Sequence, residues 1–240
     1  NFLKCDLTKS TQIEDAILFC KPDLIMHLAA ESHVDRSINS PFEFIQNNII
    51  GTFNLLESTR KYFKNLSSDK KKIFKFHHIS TDEVFGSLGP SGKFNENSRY
   101  DPKSPYSASK ASSDHLVSSW NNTFDLPTLI TNCSNNYGPW QSPDKLIPVI
   151  IVKAISGEKI PLYGDGQQIR DWLYVDDHVE ALIIIASKGL AGKSYCIGGG
   201  NEKTNNNVAK QICDILDQLN PKSFLHSNLI EYVSDRPGHD

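Results

Sequence analysis

No segment of this sequence is apolar for long enough to cross a bilayer. The longest hydrophobic stretches, around residues 146–151 and 181–186, fall well short of the ~18 residues a spanning helix needs, and no secretory leader is recognisable. Basic residues are not in excess: 25 Lys and Arg stand against 28 Asp and Glu, a formal charge of −3. Nucleic acid is therefore not expected as the main partner, and an anionic ligand would have to be met by local arginines and lysines. The five cysteines, Cys5, Cys20, Cys133, Cys196 and Cys213, form no C-x-x-C pair and no short metal-type spacing. Free thiols in the reducing cytoplasm are the expectation, without a metal site. Internal repeats and low-complexity tracts are missing too. So is an initiator Met. Residues 1–7 read as a strand already under way and 235–240 as a charged loop, so the sequence is expected to be a piece of a longer protein, cut at both ends.

What remains is an ordinary globular composition, 38% hydrophobic and 22% charged, in a chain long enough for a substantial core. Thr11-Gln12-Ile13-Glu14 has the form of a capping box and predicts a short helix to about Cys20. The apolar run 23–28, bounded by Pro22, predicts a buried parallel strand. Ser40-Pro41 predicts a helix start, and Phe44, Ile45, Ile49, Phe53 and Leu56 follow near a 3–4 spacing. Strands are predicted over 73–79 and 127–133, a polar loop over 87–104, and a helix over 106–124. Beyond Trp140 the pieces shorten: helices over 146–156, 176–188 and 206–219, strands over 160–163 and 195–197. The alternation implies an α/β fold, a doubly wound parallel sheet with a smaller mixed α/β cap.

Two motifs bear on chemistry. In Tyr106-Ser107-Ala108-Ser109-Lys110 the phenol and the ammonium stand four apart on one helix face. A cation there favours the phenolate, which can take a proton from a hydroxyl while hydride leaves the same carbon. The plain alternative is an amphipathic helix with a surface Tyr and a solvated Lys. Ser80-Thr81-Asp82-Glu83-Val84 lies at the carboxyl end of a predicted strand, where ligands of open α/β sheets bind. Thr81 offers a hydroxyl, and Asp82 and Glu83 offer an acid and a base, or else an acidic turn pair. Other candidates read as structural. Gly86, Gly89 and Gly92 spell G-x-x-G-x-x-G, but no helix opens after them. Gly198-Gly199-Gly200 reads as a turn, His77-His78 as neighbours facing opposite sides of a strand, and Asp176-Asp177 as charge at a helix start.

Taken together, these motifs resemble the dTDP-glucose 4,6-dehydratases, of the extended short-chain dehydrogenase type. The similarity extends through Leu28-Ala29-Ala30-Glu31-Ser32-His33-Val34-Asp35-Arg36-Ser37, Thr131-Asn132-Cys133-Ser134-Asn135-Asn136-Tyr137-Gly138-Pro139, Gln168-Ile169-Arg170-Asp171-Trp172-Leu173-Tyr174-Val175 and Asp235-Arg236-Pro237-Gly238-His239-Asp240, nearly the whole chain. The resemblance implies a Rossmann-like domain lacking its first strands and its glycine-rich loop. It also implies an NAD-binding part over 1–140 with the catalytic residues. A mainly nucleotide-sugar-binding part would lie over 141–240, with segments near 160–188 able to return to the main sheet.

By the same resemblance, Tyr106 is the base at the sugar C4 hydroxyl, Thr81 orients that oxygen, and Lys110 holds the nicotinamide ribose and lowers the Tyr106 pKa. Glu83 takes the C5 proton, and Asp82 protonates the C6 hydroxyl that leaves as water. NAD contacts are implied for Asp6, Leu7, Leu28, Ala29, Ala30, Glu31, Ser32, Asn47, Tyr106, Lys110 and Asn136. Contacts to the substrate, dTDP-glucose, are implied for Ser32, Thr81, Asn135, Lys145, Leu146, Pro161, Leu162, Tyr163, Arg170, Asn205, Asp235, Arg236, Pro237, Gly238 and His239. Arg170 and Arg236 suit a pyrophosphate, because a guanidinium fork bonds two oxygens at once. A homodimer paired through the helices bearing Asn47 and Tyr106 is implied as well. The family pattern has Tyr in many members where Phe85 stands. The rival readings are another nucleotide-sugar dehydratase or 4-epimerase of the superfamily, and an inactive truncated fragment.

Overall fold

The computed structural model describes residues 2–88, 92–235 and 237. Its strands, in chain order, are β1 (Leu24–His27), β2 (Lys75–Thr81), β3 (Thr128–Cys133), β4 (Asn135–Tyr137), β5 (Ile160–Tyr163), β6 (Ile169–Tyr174), β7 (Lys193–Ile197), β8 (Glu202–Thr204) and β9 (Ile230–Val233). The chain divides into two compact units: residues 1–133 with 180–197, and residues 134–179 with 198–240.

The first unit is built on a four-stranded sheet in the order β1-β2-β3-β7, parallel throughout. Parallel neighbours need crossover helices, and the sequence supplies them: Gly51–Lys64 between β1 and β2, Pro105–Phe124 between β2 and β3. Side chains alternate across a strand. Phe76 of β2 and Ile130 of β3 join Ile13, Ile17, Leu55, Leu56 and Val117 of the covering helices in one buried cluster. On the opposite face, the Lys75 ammonium donates to the carbonyls of Ala186 and Ser187 in the helix Val175–Lys188. The expectation of a parallel α/β sheet is met.

Three local expectations are not. Residues 2–6 form no strand, because a strand exists only by pairing and none of the described strands pairs with them. The helix Ser10–Cys20 begins two residues before the capping box would allow, with Lys9 at its N-cap and no side-chain cap bond. The helix opened by Pro41 is interrupted by a π-helical turn, Ile45–Ile50, before it continues as Gly51–Lys64. The wider turn rotates the face that meets the sheet: Asn48 is buried, while Ile45 and Phe53 are exposed.

The second unit has two small sheets. β6 pairs with β4 in parallel and with β8 antiparallel, and β5 pairs with β9 in parallel. The helices Leu146–Ser156 and Asn205–Leu219 pack on β5 through Ile150, Ala154, Ile160, Leu162, Ala209, Cys213 and Leu216. The glycine turn 198–200 is real. The Asp171 carboxylate accepts the backbone N–H groups of Gly199 and Asn201, both at 2.7 Å. Any side chain at 199 would collide with the Trp172 carbonyl, 2.1 Å from an added Cβ.

Candidate active site

β2 ends at Thr81, and the chain turns at once into the 3₁₀ turn Asp82–Phe85. Thr81 caps that turn. Its hydroxyl accepts from the Glu83 N–H and donates to the Asp82 carboxylate, both at 3.3 Å. Val84 and Phe85 are buried beneath the turn, which leaves Asp82 and Glu83 half-buried at the carboxyl end of the sheet. Gly86 closes the turn at φ 77, with the Asp101 carbonyl 2.4 Å from where a Cβ would stand.

The facing helix, Pro105–Phe124, starts with a capping box in which Ser104 and Ser107 bond each other's backbone N–H, and with Pro105 in its first turn. That start aims Tyr106 at the turn. The phenol is buried, edge-on to Phe44, and hydrogen-bonded to Thr81. Burial pushes its pKa well above the ordinary value. Glu83, Cys133 and Asp82 push in the same direction, while the Thr81 hydrogen bond draws it down. Both carboxylates therefore lie near enough for their charge to be felt at the phenol. Thr81, Asp82, Glu83 and Tyr106 form one cluster.

Lys110 departs from expectation. Buried at 4% exposure, its ammonium donates to the Ile79 carbonyl at 2.9 Å and does not figure among the forces on the Tyr106 phenol. Burial lowers the Lys110 pKa, opposed by Asp114 and Cys133. An ammonium has three donors, so donors remain beyond the one that meets Ile79.

Among the expected cofactor residues of this unit, Leu28, Ala29, Ala30 and Ser32 are exposed just past the carboxyl end of β1. Glu31 is held there by Asn48, whose side chain accepts the Glu31 N–H and donates to the Glu31 carbonyl and to Ser109. Two small exposed side chains beside a pinned backbone, with a buried ammonium nearby in sequence from the phenol, suit close approach of a dinucleotide. Asn47 is half-buried. Asp6 lies outside the sheet with its carboxylate taken by Thr8, and Leu7 packs against the first unit's core.

The expected residues of the second unit are spread over several elements. Asn135 and Asn136 lie on β4, where the Asn136 carbonyl oxygen of the side chain meets His178 at 2.8 Å. Lys145 precedes the helix Leu146–Ser156, and Leu146 packs on the core. Along β5, Pro161 and Tyr163 face outward while the Leu162 side chain is buried at 1%. Leu162 could meet a ligand only through its backbone. Arg170 is half-buried, its guanidinium donating to the Ile169 carbonyl, and Asn205 is buried beside Gln168. Asp235 and Pro237 are exposed; Arg236, Gly238 and His239 lie outside the described residues.

Behind the cluster is a polar layer that sequence reading missed. His27 bonds Thr52 and meets the His78 ring in a tilted contact, centroids 5.1 Å apart, and His78 touches the Asp114 carboxylate. Asp114 accepts from Tyr100 and from Asn132. Nothing in a single sequence marks these as partners, because the contacts join five elements and a loop.

A family model described as GDP-mannose 4,6 dehydratase matches residues 1–240. The chain is 53% identical to a dTDP-glucose 4,6-dehydratase of Salmonella typhimurium, covering all of this chain and 69% of that protein. It is 56% identical to dTDP-glucose 4,6-dehydratase 1 of Escherichia coli strain K12, covering 92% and 63%. Among solved structures, a dTDP-glucose 4,6-dehydratase from Streptomyces venezuelae with NAD bound superposes at a TM-score of 0.89 with 38% identity, over all of this chain and 69% of that one. A UDP-glucose 4-epimerase from Thermus thermophilus in complex with NAD gives 0.83 at 26% identity, over 98% and 72%.

Proposed function

The chain belongs to the GDP-mannose 4,6 dehydratase family and, within it, to the dTDP-glucose 4,6-dehydratases, and from that premise we propose which of its residues carry the reaction. The activity is the NAD-dependent loss of water from dTDP-glucose, giving the 4-keto-6-deoxy sugar nucleotide. The observation that supports our assignment is the convergence of two carboxylates and a Thr hydroxyl on one buried phenol.

Bound NAD would accept hydride from the sugar C4 and return it to C6. Tyr106 takes the C4 hydroxyl proton, with Thr81 hydrogen-bonded to hold that oxygen in line. Once C4 is a ketone, the C5 proton is acidic. Glu83 removes it while Asp82 protonates the departing C6 hydroxyl, so neighbouring carboxyls work in opposite protonation states. Lys110 holds the nicotinamide ribose with donors not directed at Ile79. Residues 28–32 and Asn47 would line the cofactor, and the family resemblance implies Asn136 as a further cofactor contact. Asn135, Lys145, Pro161, Tyr163, Arg170, Asn205 and the segment 235–239 receive the nucleotide sugar. At Asp6, where the family resemblance implies a cofactor contact, the N–H donates to Gln12, the carbonyl accepts from Lys9 and carboxylate Oδ1 accepts from Thr8.

Phe42, Ile45 and Phe53 are exposed on the helices around Asn47, which supports reading the enzyme as a homodimer paired there. Five free cysteines support a cytoplasmic setting, and among the described residues no helix is long and apolar enough to cross a membrane. The test is direct: enzyme incubated with dTDP-glucose and NAD should give the alkali-induced absorbance of a 4-keto product. A Tyr106→Phe variant should lose it about 100-fold or more. Full activity in that variant would remove Tyr106 from the mechanism.

A further inference from the structure

Asp114 is a buried carboxylate that none of the steps above uses. It is 1% exposed and lies one turn beyond Lys110 on the same helix. A carboxylate out of water is costly unless it is paired and hydrogen-bonded. Its Oδ2 accepts from the Tyr100 hydroxyl and from the Asn132 side-chain amide, both at 3.0 Å. Its Oδ1 lies 3.3 Å from His78 Nε2. Tyr100 and Asn132 are neutral donors, and burial together with Lys110 lowers the His78 pKa, with Asp114 opposing. The cation that shares this helix face is Lys110. The same Asn132 amide also donates to the Thr81 carbonyl at 3.2 Å, so the carboxylate is tied to the end of the strand bearing the Thr81 hydroxyl.

We propose that Asp114 is a positioning residue that keeps the buried Lys110 an ammonium and, through Asn132, fixes the end of β2 that carries Thr81. The proposal rests on the reading of Tyr106 and Lys110 as the oxidising pair. The titratable groups that act on Lys110 or Asp114 are His27 from β1, His78 from β2, Tyr100 from the loop and Cys133 from β3, and beyond them Tyr106 feels Asp82 and Glu83. Burial drives Lys110 toward the neutral amine, and Asp114 is the larger of the two influences opposing it. Without the anion, burial acts on Lys110 with only Cys133 against it, so the ammonium gives up its proton more readily and a donor that holds the nicotinamide ribose is lost.

The test follows the 13Cε signal of Lys110 and the pH dependence of kcat in the NAD-loaded holoenzyme. In the native enzyme Lys110 should be an ammonium at neutral pH. In Asp114→Asn it should lose its proton at a pH about one unit lower or more, and kcat should fall at least about tenfold with KM little changed. Tyr100→Phe removes one donor but keeps the anion; it should lower Tm and leave the Lys110 titration in place. A Lys110 titration unaltered by Asp114→Asn would overturn the proposal, as would an equal change in Tyr100→Phe. A neutral Lys110 in the native enzyme at neutral pH would do the same, and that reading needs no variant to fold. Full activity in Tyr106→Phe would instead sink the catalytic assignment and leave the Lys110 titration to decide this one.

Discussion

At the scale of single residues, the chemistry turns on how Tyr106 comes to lose its proton. Burial is the largest force holding the phenol neutral and Glu83 the next, with Thr81 acting against them. Glu83→Gln removes the second force, so the Tyr106 pKa should fall. The rising limb of the pH profile for C4 oxidation, followed as NADH absorbance, should move to lower pH while release of dehydrated product stops. A limb that stays put or moves upward would show that Glu83 does not face the phenol. Thr81, Asp82 and Glu83 could be picked out together because they stand at the end of one strand, and Tyr106 with Lys110 because they stand four apart on one helix. Where Lys110 points was not legible. Its direction toward the Ile79 carbonyl depends on a strand 31 residues away. Asn48, Asn132 and Asp114 were invisible for the same reason, since each acts by bridging separate elements.

At the scale of elements, the site depends on a short turn held by one glycine. Gly86 adopts φ 77 directly under the Asp101 backbone, and its own N–H closes the turn on the Glu83 carbonyl. Gly86→Ala should cost about 1–3 kcal/mol of stability, from the strained conformation together with the collision. It should also displace Asp82 and Glu83, lowering kcat more than KM. Thermal unfolding and steady-state kinetics check this, and a variant with native Tm and kcat would contradict it. Long helices and central strands were predicted within a residue or two, because their periodicity is internal to the segment. The helix Leu146–Ser156 and the strand Ile160–Tyr163 match their expected bounds. The short strands β4, β6, β8 and β9 were not foreseen. Each exists through a partner remote in sequence, as Asn135–Tyr137 does through Trp172–Tyr174. The π turn at Ile45–Ile50 likewise follows from burying Asn48 against Glu31 and Ser109, a tertiary demand that overrides the regular apolar spacing.

At the scale of the whole molecule, buried histidines should set the acid limit of stability. Burial, with charge from Lys110, lowers the pKa of both His27 and His78 in the folded state, and each also feels its polar neighbours. The unfolded chain, with ordinary histidines near ~6.5, then binds more protons than the folded one. Stability should be full above that pH and fall as pH drops below it. Tm measured from about pH 7.5 down to about pH 5 should decline, and less steeply in His27→Gln. An unchanged slope in both His27→Gln and His78→Gln would place the acid limit elsewhere. The central claim is that one phenol and two carboxylates work on adjacent carbons of one sugar beside one nicotinamide. The most direct measurement supplies dTDP-glucose deuterated at C4 and locates the label in the product. The account predicts deuterium at C6 of the 4-keto-6-deoxy sugar. Deuterium lost to water, or retained at C4 of an epimerised sugar, would contradict it.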